Sequence, residues 1–418
     1  MNKPWSNPED EVIRHIPDNS QAAIVLGRTE AAIRGRRQRL ALVPVRPAPS
    51  AEPASYEDDR KRVDGDYWEK QFRSLRSKYE KLLSERNVSE MLVEAVRDSA
   101  PLSYSPAPPI RRKSSGKGSP QAMVVLLSDT HVGAVVRPEQ TGGFGRYDFP
   151  TFLARLKFYE DAIVSILQDH TNTPVPELVL CLGGDLLDGM LNHGAESGQP
   201  NTLFSQFYGA GHAIAQFIRA ISAYVPSMRI YCTAGNHTRW ANQHRMPTNN
   251  RFSNFDTVLY AFLEALTAGI ENVKWTLNEQ PFARFDVFGF RFQLLHGDTL
   301  RGGDKAMGFP AHSIGRLVSA TTALCEKEKV PAPHFFLTGH LHRQFAAPLA
   351  KGSFIINGGF PGLDGYGLSE NFTPVSPTQV LFLVHPKFGK TATYDIQLRH
   401  AEVTTDAPYT IPGEFPIK

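Results

Sequence analysis

The sequence predicts an α/β (α+β) chain with a small all-helical domain in front, and three of its features carry that expectation. From residue 123 onward, short apolar runs rich in branched residues recur, and each ends on an Asp, Asn or His. Amphipathic stretches of helical period alternate with those runs. At the front, an arginine-rich helical segment is set off by two proline-rich stretches.

A chain of 418 residues exceeds one typical domain. The expected organisation is a helical module over residues 1–43, a linker over 44–120 holding a charged helix at about 58–98, a main domain over 121–400 and a tail over 401–418. Net charge is only +3, so the average names no partner. Its distribution says more: residues 1–120 hold 22 Lys/Arg against 17 Asp/Glu, and the remainder 23 against 25. The basic surplus sits at the front. Three cysteines, Cys181, Cys232 and Cys325, are too few and too embedded in apolar runs for a disulfide framework, which fits a reducing compartment. No apolar run nears the roughly 20 residues that span a bilayer, and MNKPWSNPEDE lacks a signal-peptide core. These features predict a cytoplasmic protein with no membrane partner.

In the first module Ser6 is an N-cap candidate, with Glu9, Asp10 and Glu11 in the first turn, where the positive helix end favours them. SQAAIVLG predicts a second helix ended by Gly27. Thr29 then caps TEAAIRGRRQRL, where Ala32, Ile33, Arg36 and Leu40 recur at helical spacing. With its early Trp5 and the LGRT turn, this pattern resembles Myb/SANT-like and helix-turn-helix modules. That resemblance implies DNA as a partner, contacted through Arg34, Arg36, Arg37 and Arg39. The bland alternative is a solvated basic helix in an adaptor.

VPVRPAPSAEPAS reads as a linker. Beyond it Trp68, Phe72, Leu75, Tyr79 and Leu82 alternate by four and three, the seam of a short coiled coil and a candidate route to a homo-oligomer. Residues 100–120, with five prolines and RRKSSGKGS, form a second tether. In the main domain, TFLARLKFYEDAIVSIL places Phe152, Leu156, Tyr159, Ile163 and Ile166 on one helical face. Further helices are expected near 203–224 and 256–267. Hairpins are expected around Phe288-Gly289 and at residues 387–390.

The chemistry sits at the strand ends. MVVLLSDTH runs into Asp129 and His131, and a carboxylate oxygen beside an imidazole nitrogen suits Mn, Fe or Zn. ELVLCLGGD ends on Asp185, RIYCTAGNH on Asn236 and His237, FRFQLLHGD presents His296, and HFFLTGHLH ends on His340 and His342. In that order the five segments resemble the calcineurin-like metallophosphoesterase superfamily, whose motifs are D-x-H, G-D-x-x-D, G-N-H, H and G-H-x-H.

That resemblance implies two packed β-sheets flanked by helices, and a centre of two divalent transition-metal ions, Mn before Fe or Zn. Asp129, His131 and His342 would hold one ion, Asn236, His296 and His340 the other, and Asp185 would bridge them. His237 would face the substrate as proton donor or phosphoryl contact. Relatives often place an acid directly after this histidine, whereas Thr238 stands here. Asp188, the second Asp of G-D-x-x-D, is therefore assigned to orient His237, the alternative being a cap of the following loop. Arg239, Trp240 and Arg245, in TRWANQHRMPTNNR, suit a nucleic-acid backbone and a stacked base.

The expected function is a two-metal phosphodiester hydrolase acting on DNA, an endonuclease or nickase delivered by the front module. GGDLLD and GHLH are similar to the DNA-repair nucleases of the superfamily. The alternatives are a phosphatase or cyclic-nucleotide phosphodiesterase with the same centre, or a non-catalytic DNA-binding protein.

Overall fold

The computed structural model describes residues 6–16, 19–40, 104–108, 110, 118–189, 202–239, 254–277, 280–300, 310–362 and 376–412, with Arg73, Leu92, Val93, Ala95 and Val96. Apart from those five residues, the charged helix expected at 58–98 and its oligomerisation seam lie outside the described residues. Two compact units are present, Met1–Tyr79 and Glu80–Lys418.

The first unit contains α1 (Asn7–His15), α2 (Asn19–Leu26) and α3 (Glu30–Arg39). Glu9 reaches back to the Ser6 amide at 2.9 Å, tying down the start of α1. Gly27, at φ +57°, ends α2 in the left-handed conformation that only glycine adopts cheaply. Thr29 accepts from the Ala32 amide at 3.3 Å at the start of α3. The core is small: Ile13, Ala22, Ala23 and Ile33, flanked by Ile16 and Leu26.

Polar braces supplement so few apolar contacts. Arg28 pairs with Glu9 at 2.9 Å, and Arg36 grips Asp10 with two bonds of 2.7 and 2.6 Å. Arg37 is buried, donating to Asn19 at 2.9 Å and to the Ile16 carbonyl. This corrects the expectation for two arginines. Arg36 and Arg37 are committed within the module, and of the four assigned to DNA only Arg34 and Arg39 lie on the exposed surface. Trp5 lies outside the described residues.

The second unit opens with β1 (Ala122–Leu127), α4 (Phe149–Ser165), β2 (Glu177–Leu182), α5 (Leu203–Ser222), β3 (Ser227–Cys232), α6 (Phe255–Leu266) and β4 (Val273–Thr276). It continues with β5 (Phe282–Val287), β6 (Phe290–Leu295), α7 (Ala311–Lys327), β7 (Phe335–Thr338), β8 (Phe345–Leu349), β9 (Gly352–Ile356), β10 (Thr378–His385) and β11 (Gly389–Gln397). One sheet has the order β11-β10-β1-β2-β3-β4 and the other β5-β6-β7-β9-β8.

Strand alternation builds the layers. On β1, Met123, Val125 and Leu127 pack with α4, α5 and α6 residues such as Phe152, Leu156, Tyr159, Phe217 and Leu259. Val124 and Leu126 point the other way and meet Phe285, Phe292, Phe335 and Ile355 of the second sheet. That sheet's outer face, through Phe336, Phe354 and Ile356, is covered by Ile314 of α7. The result is helices, sheet, sheet, helix, the predicted sandwich. Each fully buried Phe or Leu contributes roughly 1.5–3 kcal/mol. Both predicted hairpins form, Phe288-Gly289 turning with positive φ at both residues, as a two-residue turn between twisted strands requires.

β1, β2 and β3 run parallel, with Leu127 beside Leu182 and Leu182 beside Cys232. β6 and β7 are likewise parallel. Segments following parallel neighbours leave the sheet at the same edge, where open α/β sheets place their sites. The five chemical motifs are those segments.

Candidate metal centre

The backbone singles out this edge. Among the described residues seven non-glycines have positive φ, and five are Asp129, His131, Asp185, His340 and His342. Each costs roughly 1–2 kcal/mol relative to ordinary backbone. Strain gathered on the predicted ligands persists because their side chains are aimed at common points. Backbone bonds lock the loops together: Asp129 N to Gly184 O at 3.0 Å, His131 N to Asp185 O at 3.1 Å.

Among the described residues three groups of potential ligands result, one of them His131, Asp188 and His237, and the other two the predicted clusters. In one, ligand atoms of Asp129, His131 and His342 lie within 4.8 Å of one another, the two imidazole Nε2 atoms 3.0 Å apart and His342 Nε2 3.5 Å from Asp129 Oδ1. In the other, Asp185, His296 and His340 meet the same limit. His296 Nε2 lies 2.9 Å from Asp185 Oδ2 and 3.0 Å from Asn236 Oδ1. Asp185 Oδ1 accepts the amides of Asn236 and His237 at 2.7 and 2.8 Å.

Proton accounting shows what these clusters hold. His296 Nδ1 is 2.9 Å from the Gly183 carbonyl, which only accepts, so Nδ1 carries the proton and a neutral ring leaves Nε2 a lone pair. Facing a carboxylate and an amide oxygen, that Nε2 can be satisfied in two ways, by a second proton on the ring or by a metal ion that takes its lone pair together with the two oxygens. In Asp129, Oδ1 accepts from the His340 amide at 2.9 Å, while buried Oδ2 has no hydrogen-bond partner among the described residues. The donor set, imidazole nitrogens with carboxylate and amide oxygens, suits divalent transition metals. The residues present therefore fit the divalent ions that the sequence implied.

The electrostatics agree. Burial opposes a charge on His296, yet Asp185 and then Asp129 hold its pKa up to about 10, a measure of how strongly the pocket favours positive charge. Burial, with His296 beside it, pushes His340 down to about 4, leaving the neutral imidazole that ligation needs. Burial pushes the Asp185 carboxyl up, but His296 and His237 more than offset this and hold it well below the usual range.

His237 and Asp188 stand beside the clusters. His237 Nδ1 is 3.1 Å from the Asp188 carbonyl and 3.7 Å from its carboxylate. The same carboxylate is 3.5 Å from His131 Nδ1, so Asp188 faces two histidines where the sequence assigned it one. With Nδ1 turned to Asp188, His131 presents Nε2 to the first cluster, 3.0 Å from His342 Nε2. The His237 side chain is 21% exposed against 4% for His131 and 0% for His296, so it borders the opening. Burial would lower its pKa, but Asp185 and then Asp188 hold it up to about 9.

Arg239 pairs with Asp298, just after His296, and is thereby committed within the unit. Trp240 and Arg245 lie outside the described residues. Other contributors escaped sequence reasoning. Asn254 and Asp256 open α6 and bind the loops bearing Asp185 and Gly235. Ser128, Asn357 and Gln379 form a buried polar knot behind Asp129, with Asn357 Nδ2 donating to Ser128 Oγ at 2.9 Å and to Gln379 Oε1 at 2.7 Å. Their only signal was polar residues interrupting apolar runs. The motif glycines have a steric reason: a Cβ at Gly235 would fall 2.6 Å from the Asp185 carboxyl carbon, and one at Gly339 2.7 Å from Ser128 Oγ.

Comparison with known proteins adds the family. A model described as calcineurin-like phosphoesterase matches residues 122–344, more than half of the chain. No curated protein matches. Similar solved structures include zinc-complexed wild-type Vps29 from Entamoeba histolytica, with 10% identity, TM-score 0.27, and coverage of 66% of this chain and 99% of that one. Vacuolar protein sorting 29 from Cryptosporidium parvum gives 11%, 0.30, 66% and 97%, and an archaeal phosphodiesterase 12%, 0.28, 65% and 99%. Nothing further is drawn from likenesses this distant. Among the described residues no helix is long and apolar enough to cross a membrane, and all three cysteines are free and buried.

Proposed function

The chain belongs to the calcineurin-like phosphoesterase family, and from that premise we propose that it hydrolyses phosphodiester bonds of DNA with two divalent ions, Mn by preference. The observation that carries the reaction class is the pair of buried ligand clusters, in which imidazole nitrogens converge with carboxylate and amide oxygens and Asp129 Oδ2 has no hydrogen-bond partner among the described residues, beside the accessible His237. Bound there, divalent ions would neutralise phosphoryl charge and lower the pKa of water enough to provide a nucleophile near neutral pH.

The remaining work falls to the side chains. Asp185, its Oδ1 held by two amides, keeps one orientation in which Oδ2 faces His296. His237, anchored through Nδ1, directs Nε2 to the opening and donates a proton to the departing alkoxide oxygen. Asp188 fixes that ring and the His131 ring together. One water is consumed, and the diester becomes a monoester and an alcohol.

DNA as substrate is supported by the basic surplus of residues 1–120 and by Arg34 and Arg39 exposed on α3, enough for a few phosphate contacts. A tethered binding module favours repeated cuts at one locus, an endonuclease or nickase. The test compares the full chain with a form starting near Ser119 on supercoiled plasmid, linear DNA, cyclic nucleotides and phosphopeptide under Mn. Nicked or cut DNA is expected. The shorter form and Arg34→Ala/Arg39→Ala should keep turnover of a generic diester while losing DNA affinity and salt dependence. Untouched DNA alongside turnover of a nucleotide or phosphopeptide would replace this reading with a phosphatase or cyclic-nucleotide phosphodiesterase.

A further inference from the structure

Thr238 directly follows the Gly235-Asn236-His237 segment. Thr238 is buried and donates through its hydroxyl to Asn254 Oδ1. A carboxylate reaches this region from a different element. Asp256, in the first turn of α6 and fully buried, accepts the Asp185 amide at 2.9 Å and the Gly235 amide at 2.9 Å, both on Oδ2. Asn254, capping the same helix, donates from Nδ2 to the Gly235 carbonyl at 2.9 Å. Gly235 is thus held by both faces of its peptide groups, and the next residue is Asn236.

An acid in a helix's first turn ordinarily interacts with its own helix end. Asp256 does otherwise. Its own amide is taken by Asn254 Oδ1 at 2.8 Å and Thr238 Oγ at 3.2 Å, and its carboxylate leaves the helix for two loops of the metal centre. Burying a carboxylate with one oxygen, Oδ1, that has no hydrogen-bond partner among the described residues is unfavourable. A neutral side chain would serve helix and core better. What an oxygen at this place supplies, and an apolar side chain would not, is a single acceptor shared by the Asp185 and Gly235 amides, which sets Asp185 and Asn236 relative to each other.

We propose that Asp256, assisted by Asn254, is a positioning residue that fixes the Asp185 loop and the Gly235-Asn236 loop in the one relative geometry the second metal cluster needs. This rests on the two-metal reading above and deepens it. The hydrogen-bond grip is the operative feature, so an acceptor without charge should serve.

The experiment is Mn titration calorimetry on the full chain, together with melting of metal-free and Mn-loaded protein and kcat and KM on an aryl phosphodiester. Asp256→Ala should weaken binding of the second Mn by about 10–100-fold, the usual loss when support behind a ligand is removed. It should shrink the Mn-induced rise in melting temperature and lower kcat more than it raises KM. Asp256→Asn, whose amide oxygen accepts the same two amides, should stay within about threefold of wild type. Asn254→Ala should produce a smaller loss at the same ion, and it carries the test if Asp256→Ala fails to fold. A merely structural role would lower metal-free and loaded melting equally and leave Mn affinity unchanged, which overturns the proposal. Asn as damaging as Ala also overturns it, because charge would then be operative. Wild-type protein that binds no divalent ion would overturn the two-metal reading first and this inference with it.

Discussion

Replacing Gly235 with alanine perturbs the centre by one methyl group at a known place. The new Cβ would stand 2.6 Å from the Asp185 carboxyl carbon and closer still to its Oδ1 and backbone nitrogen, where ordinary contact begins at 3.4 Å, so the Asp185 carboxyl and the loop that carries it must both move, by on the order of 1 Å. That movement breaks the bonds that Asp185 Oδ1 takes from Asn236 and His237, at 2.7 and 2.8 Å. A misplacement near 1 Å costs on the order of 10²-fold in rate. Gly235→Ala should therefore lower Mn-dependent hydrolysis of an aryl phosphodiester by about 10²-fold or more, with metal content below two per chain by mass spectrometry. Gly315→Ala is the matched control. Gly315 sits in α7, where a Cβ would meet nothing within 4 Å, so the change should stabilise by up to about 1 kcal/mol and leave turnover alone. A Gly235→Ala protein with two ions and turnover within about threefold of wild type would refute the steric reasoning.

His237→Asn should cut turnover by roughly 10²–10⁴-fold while metal content stays at the wild-type level, because it removes a proton donor and no ligand; loss of metal would make His237 a ligand. In the first unit, the Arg28 and Ser6 hydrogen bonds hold the Glu9 carboxyl down to about 2 from an ordinary 4.5. A depressed carboxyl stabilises the fold above its unfolded value, so this contribution is complete above about pH 4.5 and fades as pH falls toward 2. Amide exchange over residues 6–40, corrected for intrinsic rates, should speed up across that window in wild type and change less in Glu9→Gln. Equal responses would remove the brace from the account.

Much of this molecule is legible in its sequence where side-chain period and strand ends coincide. The Phe152, Leu156, Tyr159, Ile163 face is buried as the helical period requires, and Phe288-Gly289 turns where alternation breaks. Asp129, His131, Asp185, Asn236, His296, His340 and His342 could be picked out because each directly follows an apolar strand, and parallel strands deliver their ends to one edge. Asp256 and Asn254 could not. Their positions at the start of α6 look like ordinary capping, and only the fold shows the side chains turned to loops 71 and 19 residues away in sequence.

The arginines of α3 show a different limit. Helical period separates faces, but in a module with so few buried apolar residues the inward face also recruits charge, and Arg36 and Arg37 are drawn to Asp10, Asn19 and the Ile16 carbonyl. The apolar pair Ile24 and Val25 conversely remains 81% and 61% exposed on α2. Asp188 was assigned one histidine because sequence order offers His237 through its motif, while His131 becomes its neighbour only when β1 and β2 lie side by side.

The central claim, that the five strand-end motifs build a two-ion centre, is tested most directly by anomalous diffraction from crystals of the full chain grown with Mn. Two peaks are expected per chain, one among Asp129, His131 and His342 and one among Asp185, Asn236, His296 and His340. Asp185→Asn crystals grown in the same way should lose at least one. No peak at this edge of the sheets, or a single peak between Asp188 and His237, would contradict the account.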